Sequence, residues 1–233
     1  MAILIMRLDK FLADLQFGTR SEVKNLIKKG RVSIEGTIIK KADYKVDETT
    51  TVYVDDEPVT YVQYEYYLLN KPAGYLSATE DLYQPVVMEL IHSKRKDLAP
   101  VGRLDKDTEG VLLISNDGQL AHRLLSPKYH VDKTYYAKLD AKLPDNAAEL
   151  FAKPMVFEDF TSAPAILKSI EETSAMVTIH EGKYHQVKRM FEKVGCTVTY
   201  LERTQFDQLT LDGLERGEYR ELTPEEVQRL KEQ

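Results

Sequence analysis

The sequence predicts an α+β fold in two parts: a small module of two helices and short strands, then a larger domain on a mainly antiparallel or mixed sheet flanked by helices. Three observations lead there. Strand-like runs outnumber helical ones along most of the chain and do not alternate with them regularly, which disfavours a βαβ design. Charge is uneven: residues 1–47 hold ten Lys and Arg against six acids, and the rest of the chain holds 22 against 32. The character also changes after Pro58, where the acidic DDEPV stretch gives way to tyrosine-rich YVQYEYYLL. A chain of 233 residues fits two domains better than one. Boundaries of 1–58 and 62–233 are expected.

In the first part, Leu8, Phe11, Leu12 and Leu15 recur at helical spacing, and a turn at Phe17 and Gly18 ends that helix. Thr19 stands three residues before Glu22, the spacing of a capping box, and Val23, Leu26 and Ile27 carry an apolar stripe to Gly30. The wet side of this second helix is basic, with Arg20, Lys24, Lys28 and Lys29. Val32 and Ile34, a Glu35-Gly36 turn and Ile38 read as a hairpin, and Val52 and Val54 as a further strand. The segment is +4 within a chain of −6, so a local basic face suits phosphate binding despite the acidic whole.

From Tyr61 a β-prone run enters Asn70, Lys71 and a Pro72-Ala73-Gly74 turn. QPVVMELIH, residues 84–92, has a helical pattern with Pro85 in its first turn, and basic HSKRKD is expected as a loop near the charged turn that follows. Residues 111–114 form an apolar strand, 120–125 a short helix ending before Pro127, 133–139 a strand and 146–152 a helix. Strands are expected at 165–168 and 175–180. In EGKYHQVKRMFEKVG, Val187, Met190, Phe191 and Val194 share one helix face, which leaves His185, Lys188, Arg189 and Lys193 on the other. Strands at 197–201, 208–211 and 219–222 precede a closing helix capped by Thr223, with Pro224 first.

The turn before the 111–114 strand is the chemical focus. Arg103, Asp105, Lys106, Asp107 and Glu109 crowd five charges into seven residues beside a buried strand, a costly placement unless the charge is used. DKDTEG opens like a calcium loop, but the twelfth position, where a carboxylate must close the cage, is Asn116. A two-carboxylate hydrolase lacks a second acid at a strand end. The third alternative is one working carboxylate with cationic neighbours. Arg103 lies two residues from Asp105 and points the same way on an extended backbone, which favours an ionised carboxylate available as nucleophile or base. The single Cys196 excludes an internal disulfide and a zinc site on paired thiolates. The apolar run at residues 2–6 is too short for a signal-peptide core and no later stretch could span a bilayer, so a cytoplasmic location is expected.

Two resemblances sharpen these alternatives. MRLDKFLADL followed by TRSEVKNLIKKGRVSIEG resembles the alpha-L RNA-binding domain over residues 6–54, with Glu35 where that family often has Asn. VGRLDKDTEGVLLISNDG resembles the central motif of the pseudouridine synthases, which carries the catalytic aspartate. LNKPAGYL before it, and KTYYAKL, EGKYHQVKRMF and LDGLERGEYREL after it, follow in the family's order. The set is similar to the ribosomal small-subunit pseudouridine synthase A family, with Val111 where the central motif usually has Leu.

The resemblance implies a small alpha-L domain joined to a pseudouridine synthase domain that isomerises a uridine of 16S rRNA without cofactor or metal. It implies that the base is flipped from the RNA, the bond from the sugar to nitrogen is cut, and the uracil is rejoined through carbon five. On this basis Asp105 starts the cleavage, by attack on the sugar or by taking its proton. Tyr135 lies against the uracil, and Lys188 pairs with Asp105 and keeps it ionised, with Arg189 as the rival for that place. Arg103 contacts the displaced nucleotide or its phosphate, Lys71, His185 and Arg189 are further RNA contacts, and Arg7, Arg20, Lys24, Lys28 and Arg31 meet phosphates from the N-terminal module. The enzyme is expected to work as a monomer, away from membranes. Alternatives are the same reaction on 23S rRNA, against which the absence of a long basic tail after TPEEVQRLKEQ argues, and a non-catalytic ribosome-assembly factor.

Overall fold

The computed structural model describes residues 5–93 and 95–232. Most of the apolar run at 2–6, and Lys94 of HSKRKD, lie outside them. Contacts divide the chain into two compact units, Met1–Glu65 with His92–Asp97, and Tyr66–Ile91 with Leu98–Gln233.

In the first unit, β1 (Ile5–Arg7) leads directly into α1 (Leu8–Asp14), and α2 (Arg20–Lys28) packs beside it. The capping box of α2 is formed: Glu22 N donates to Thr19 Oγ1 at 3.3 Å and Thr19 N to Glu22 Oε2 at 2.7 Å. Each satisfies a backbone donor left open at the helix start. β2 (Val32–Ile34) turns into β3 (Thr37–Ile38) through Glu35 and Gly36, at φ 49° and 77°. A tight two-residue hairpin demands positive φ at both, and Glu35 adopts it without glycine's freedom. β4 (Lys45–Asp47) pairs with β1, β5 (Val52–Val54) with β2, and β6 (Glu57–Val59) with β5. Leu8, Phe11, Leu12, Val23, Ile27, Val32 and Val52 fill the core.

The expected break at Pro58 is displaced. Pro58 lies within edge strand β6, where a missing N–H is tolerated. Beyond it Tyr61 packs on Phe11, rings 5.1 Å apart, and its hydroxyl lies 3.2 Å from Asp14 Oδ2. HSKRKD also returns to this unit, where Arg95 donates to Asp97 and to the Val62 carbonyl.

The second unit contains β7 (Tyr66–Lys71), β8 (Ala99–Pro100), β9 (Glu109–Ser115), α3 (Gly118–Leu125), β10 (Lys133–Leu139) and α4 (Ala147–Phe151). It continues with β11 (Ile166–Glu171), β12 (Ser174–Ile179), α5 (Gln186–Lys193), β13 (Val198–Phe206), β14 (Leu209–Thr210), β15 (Tyr219–Glu221) and α6 (Pro224–Glu232). The strands form a mixed sheet in the order β11-β12-β10-β13-β9-β7-β15, with β8 on β9 and β14 on β13. No helix among the described residues is long and apolar enough to cross a membrane.

Every pairing in this sheet is antiparallel except β9 with β13. That junction is short, with Glu202 opposite Glu109 and Arg203 opposite Gly110, and it joins two antiparallel halves. Gly110 sits at φ 102°, and a Cβ there would lie 2.2 Å from the Arg203 carbonyl oxygen. Only glycine allows the two halves to close here. Gly110→Ala is therefore expected to cost more than about 4 kcal/mol, as backbone strain and overpacking combine. Urea unfolding checks this, and a variant within 1 kcal/mol of wild type would show that the junction yields.

The helix expected over residues 84–92 is instead one 3₁₀ turn, Val87–Leu90. Leu76 N donates to the Pro85 carbonyl and Val87 N to the Leu76 carbonyl, both at 2.9 Å, so the segment runs extended past Leu76. β-Branched Val86, at φ −114° and ψ 151°, suits that extension better than helix.

Candidate active site

The loop carrying Asp105 is wrapped around a buried ammonium. Lys71, at the end of β7, has no exposed surface, and its Nζ donates to the carbonyls of Pro72, Asp105, Lys106 and Thr108 at 2.8 to 3.2 Å. Burial pushes Lys71 down to about 8, against the pull of Asp107, Glu109 and Asp105, so it still carries its proton at neutral pH. Ser77 Oγ brackets Leu104, donating to its carbonyl at 2.9 Å and accepting from its N–H at 3.0 Å. Gly74 N donates to the Lys106 carbonyl at 2.8 Å. The LNKPAGYL segment thus acts as a clamp on the Asp105 turn. Lys71, expected to meet RNA, is corrected: a side chain sealed among four carbonyls cannot reach a ligand.

The Asp105 side chain faces α5. Lys188 Nζ lies 3.0 Å from Asp105 Oδ2 and 2.7 Å from Asp107 Oδ1, and His185 Nε2 is 3.5 Å from Asp105 Oδ1. Lys188 is largely buried, yet its two carboxylate partners outweigh that burial and hold its pKa above the usual lysine value. The converse holds for Asp107, where burial is outweighed by Lys188 and the carboxyl lies below its ordinary range. His185 is a left-handed residue, φ 48°, that starts α5, and the Tyr184 ring stacks on it at 3.9 Å. Buried Gln186 supports this turn: its Oε1 accepts from Lys183 N at 3.0 Å and its Nε2 donates to Glu181 Oε1 at 2.8 Å.

Arg189 is not at the site. It forms a bidentate pair with Asp159 at 3.0 and 2.5 Å and lies over the Phe157 and Phe160 rings. Successive helical residues point about 100° apart, so one of the two neighbours must turn away. Glu109 also faces elsewhere, accepting from Tyr200 Oη at 2.8 Å and Arg216 Nε at 2.9 Å. Arg216 in turn pairs with Glu202 and hydrogen-bonds Asn70. This network ties the sequence-distant LDGLERGEYREL segment to the central sheet.

Two open cavities, about 70 and 540 Å³, share Arg103, Leu104, Asp105, Tyr135, Lys183 and His185 in their walls. The larger suits a nucleoside-sized ligand. The smaller is closed on its apolar side by Ile179, Val187 and Leu201. Tyr135 comes from β10 and is nearly buried, whereas Arg103 is exposed at the rim. The larger cavity also contains Lys133 and Arg203, neither singled out from the sequence. The KTY spacing was the available signal, since Lys133 and Tyr135 share a face of one strand.

In the first unit, Arg7 and Arg31 are each engaged in bidentate pairs, with Asp9 and with Asp55. Arg20, Lys24 and Lys28 are exposed along α2 and enter no ion pair among the described residues.

A carboxylate paired with a lysine at an open cavity, on a mixed sheet in a chain that also carries a basic helix, is an arrangement suited to chemistry on a nucleotide. Residues 65–193 match the family profile described as RNA pseudouridylate synthase, and residues 6–52 match the S4 domain. The chain is 46% identical to a Bacillus subtilis protein named uncharacterized RNA pseudouridine synthase YtzG, across 97% of this chain and 99% of that one. It is 42% identical to ribosomal small subunit pseudouridine synthase A of Vibrio cholerae and 40% identical to that of Escherichia coli, each across 95% of this chain and 98% of the relative. A solved structure of a pseudouridylate synthase superposes with a TM-score of 0.68 at 36% identity, covering 97% of this chain and 99% of the other. The chain belongs to the RNA pseudouridylate synthase family.

Proposed function

We propose that this enzyme converts one uridine of 16S rRNA to pseudouridine, with Asp105 initiating cleavage of the glycosidic bond. The observation that carries the proposal is the Asp105 carboxylate in an open cavity, held by Lys188 at 3.0 Å, with Tyr135 in the same cavity wall. A stacked uridine must be extruded to reach such a group, at a cost of about a few kcal/mol that contacts in the cavity offset. Tyr135 offers a ring to the extruded uracil, Arg103 at the rim meets the displaced nucleotide, and His185 lines the way in. The Vibrio cholerae and Escherichia coli relatives named for the small subunit favour 16S rRNA as substrate. We place the enzyme in the cytoplasm as a monomer.

Mapping pseudouridine in 16S and 23S rRNA from a deletion strain tests the substrate. One 16S position is expected to lose the modification and regain it with the wild-type gene. Loss at a 23S position instead would favour the large-subunit alternative, and loss at none would contradict the proposal.

Arg20, Lys24 and Lys28 are assigned as the main phosphate contacts of the S4 unit, with Arg7 and Arg31 at its edges. Replacing the three by Gln is expected to weaken rRNA binding and reduce the slope of log Kd against log salt by about 2 to 3, close to one per neutralised phosphate. An unchanged slope would place the anchoring contacts elsewhere.

A further inference from the structure

Lys133 and Arg203 are a pair of buried cations that the roles above leave unexplained. They come from neighbouring strands: β10 and β13 pair with Tyr135 opposite Arg203 and Lys133 opposite Phe206. Lys133 is 6% exposed and Arg203 2% exposed, and both line the larger cavity with Asp105 and Tyr135. Both sit over the Phe206 ring, 5.6 and 5.1 Å from its centre.

Their hydrogen bonds are sparse. Lys133 Nζ donates to the Val131 carbonyl at 3.0 Å and Arg203 Nε to the Val111 carbonyl at 2.8 Å, while Arg203 Nη2 is buried without a partner among the described residues. Asp132 and Glu181 are near enough to act on Lys133, yet neither Lys133 nor Arg203 enters an ion pair with a carboxylate among the described residues; Glu202 pairs with Arg216, and Glu181 accepts from Gln186 and the Ala163 N–H. Burial and the Arg203 charge push Lys133 down to about 8 despite Asp132 and Glu181. Two like charges in a low-dielectric wall with no carboxylate ion-paired to either are costly, and such a cost persists where an anion is to be met.

We infer that Lys133 and Arg203 form an anion site for the uracil itself, taking up the negative charge that the base acquires when its bond to the sugar breaks. This inference rests on the proposed reaction at Asp105. When the C1′–N1 bond breaks, its electron pair leaves with the base, and the charge spreads over N1, O2 and O4. The sugar is made good by a bond to the Asp105 carboxylate or by loss of a proton to it. In the return step the base supplies the electron pair for the C5–C1′ bond as the Asp105 carboxylate leaves C1′ with its own pair, or returns to the sugar the proton it took; C5 then releases its proton to solvent, and N1 takes one up. The depth of the two cations favours a base over a phosphate. A flat uracil edge reaches the wall of a cavity, whereas a backbone phosphate is tethered on both sides to nucleotides outside it. Fixed cations aimed at developing charge act mainly on the transition state.

Lys133→Met is the decisive variant, since it keeps length and removes charge. Its single-turnover rate of pseudouridine formation is expected to fall about 10²- to 10³-fold, the range for loss of one such stabilising group. Its affinity for rRNA should stay within about threefold, and its Tm should not fall, because an unfavourable buried charge is gone. Arg203→Lys, which keeps the charge, is expected to lose less rate than Arg203→Met. A rate within threefold of wild type in Lys133→Met would overturn the inference. So would a rate loss matched by a loss of affinity, which marks a ground-state phosphate contact, or by a fall in Tm, which marks a structural lysine. An Asp105→Asn control separates the two proposals: turnover in that control sinks the Asp105 assignment, whereas full rate in Lys133→Met alone sinks only the anion site.

Discussion

Asp105→Asn is expected to abolish pseudouridine formation, with a rate loss of at least about 10⁴-fold, in the range seen when a group central to covalent chemistry is removed. The substitution keeps the shape of the side chain and removes its charge. The backbone of the loop should not move, because its carbonyls, not the Asp105 side chain, hold Lys71. Lys188 keeps Asp107 as a partner at 2.7 Å, so no buried cation is left unpaired. Tm and rRNA affinity should therefore remain close to wild type, and activity alone should be lost.

Lys71→Met is expected to have the largest effect on stability outside the sheet junction. Methionine fills the space but leaves the carbonyls of Pro72, Asp105, Lys106 and Thr108 without their common donor. A buried acceptor without a partner costs about 1–3 kcal/mol, and a loss of about 3–5 kcal/mol overall is expected. For a chain of this size that corresponds to a fall in Tm of roughly 10 °C. The effect depends on pH in a defined direction. Lys71 lies near 8 in the folded protein against 10.5 in the unfolded chain, so the native state binds fewer protons between those values. Its contribution to stability then rises with pH across that window and is flat below 8. The advantage of wild type over Lys71→Met in urea unfolding should widen from about pH 8 to pH 10. A constant difference would show that Lys71 titrates normally.

Much of this architecture was legible in local pattern. The alternation in KTYYAKL marks β10 to the residue, and the apolar run at 111–114 lies inside β9. The Thr19/Glu22 spacing became a reciprocal cap, and Thr223 caps the closing helix by accepting from Glu226 N at 3.2 Å. What could not be read depends on contacts between distant segments. The QPVVMELIH pattern satisfies helical spacing, but its backbone pairs with Leu76, ten residues before Val86. The parallel meeting of β9 with β13, separated by 92 positions at the Arg203–Val111 hydrogen bond, leaves no local trace.

The site shows the same division. Asp105 and Lys188 were named together from their motifs, and they lie 3.0 Å apart, whereas the choice between Lys188 and Arg189 required the phase of α5 against the loop. Lys71 is expected at the RNA because a lysine in a turn is ordinarily solvated, and nothing local reveals that a second loop, 34 residues on, folds over it. Lys133 and Arg203 were passed over because each lies in an ordinary strand pattern. Only strand pairing brings them to one cavity.

The central claim, that Asp105 starts the reaction, is tested most directly by tritium release from 16S rRNA labelled at carbon five of uridine, under single-turnover conditions with enzyme in excess. Wild type should release the tritium of one uridine per rRNA. Asp105→Asn, bound to the same RNA with unchanged affinity, should release none above background. Release by Asp105→Asn within tenfold of the wild-type rate would contradict the account.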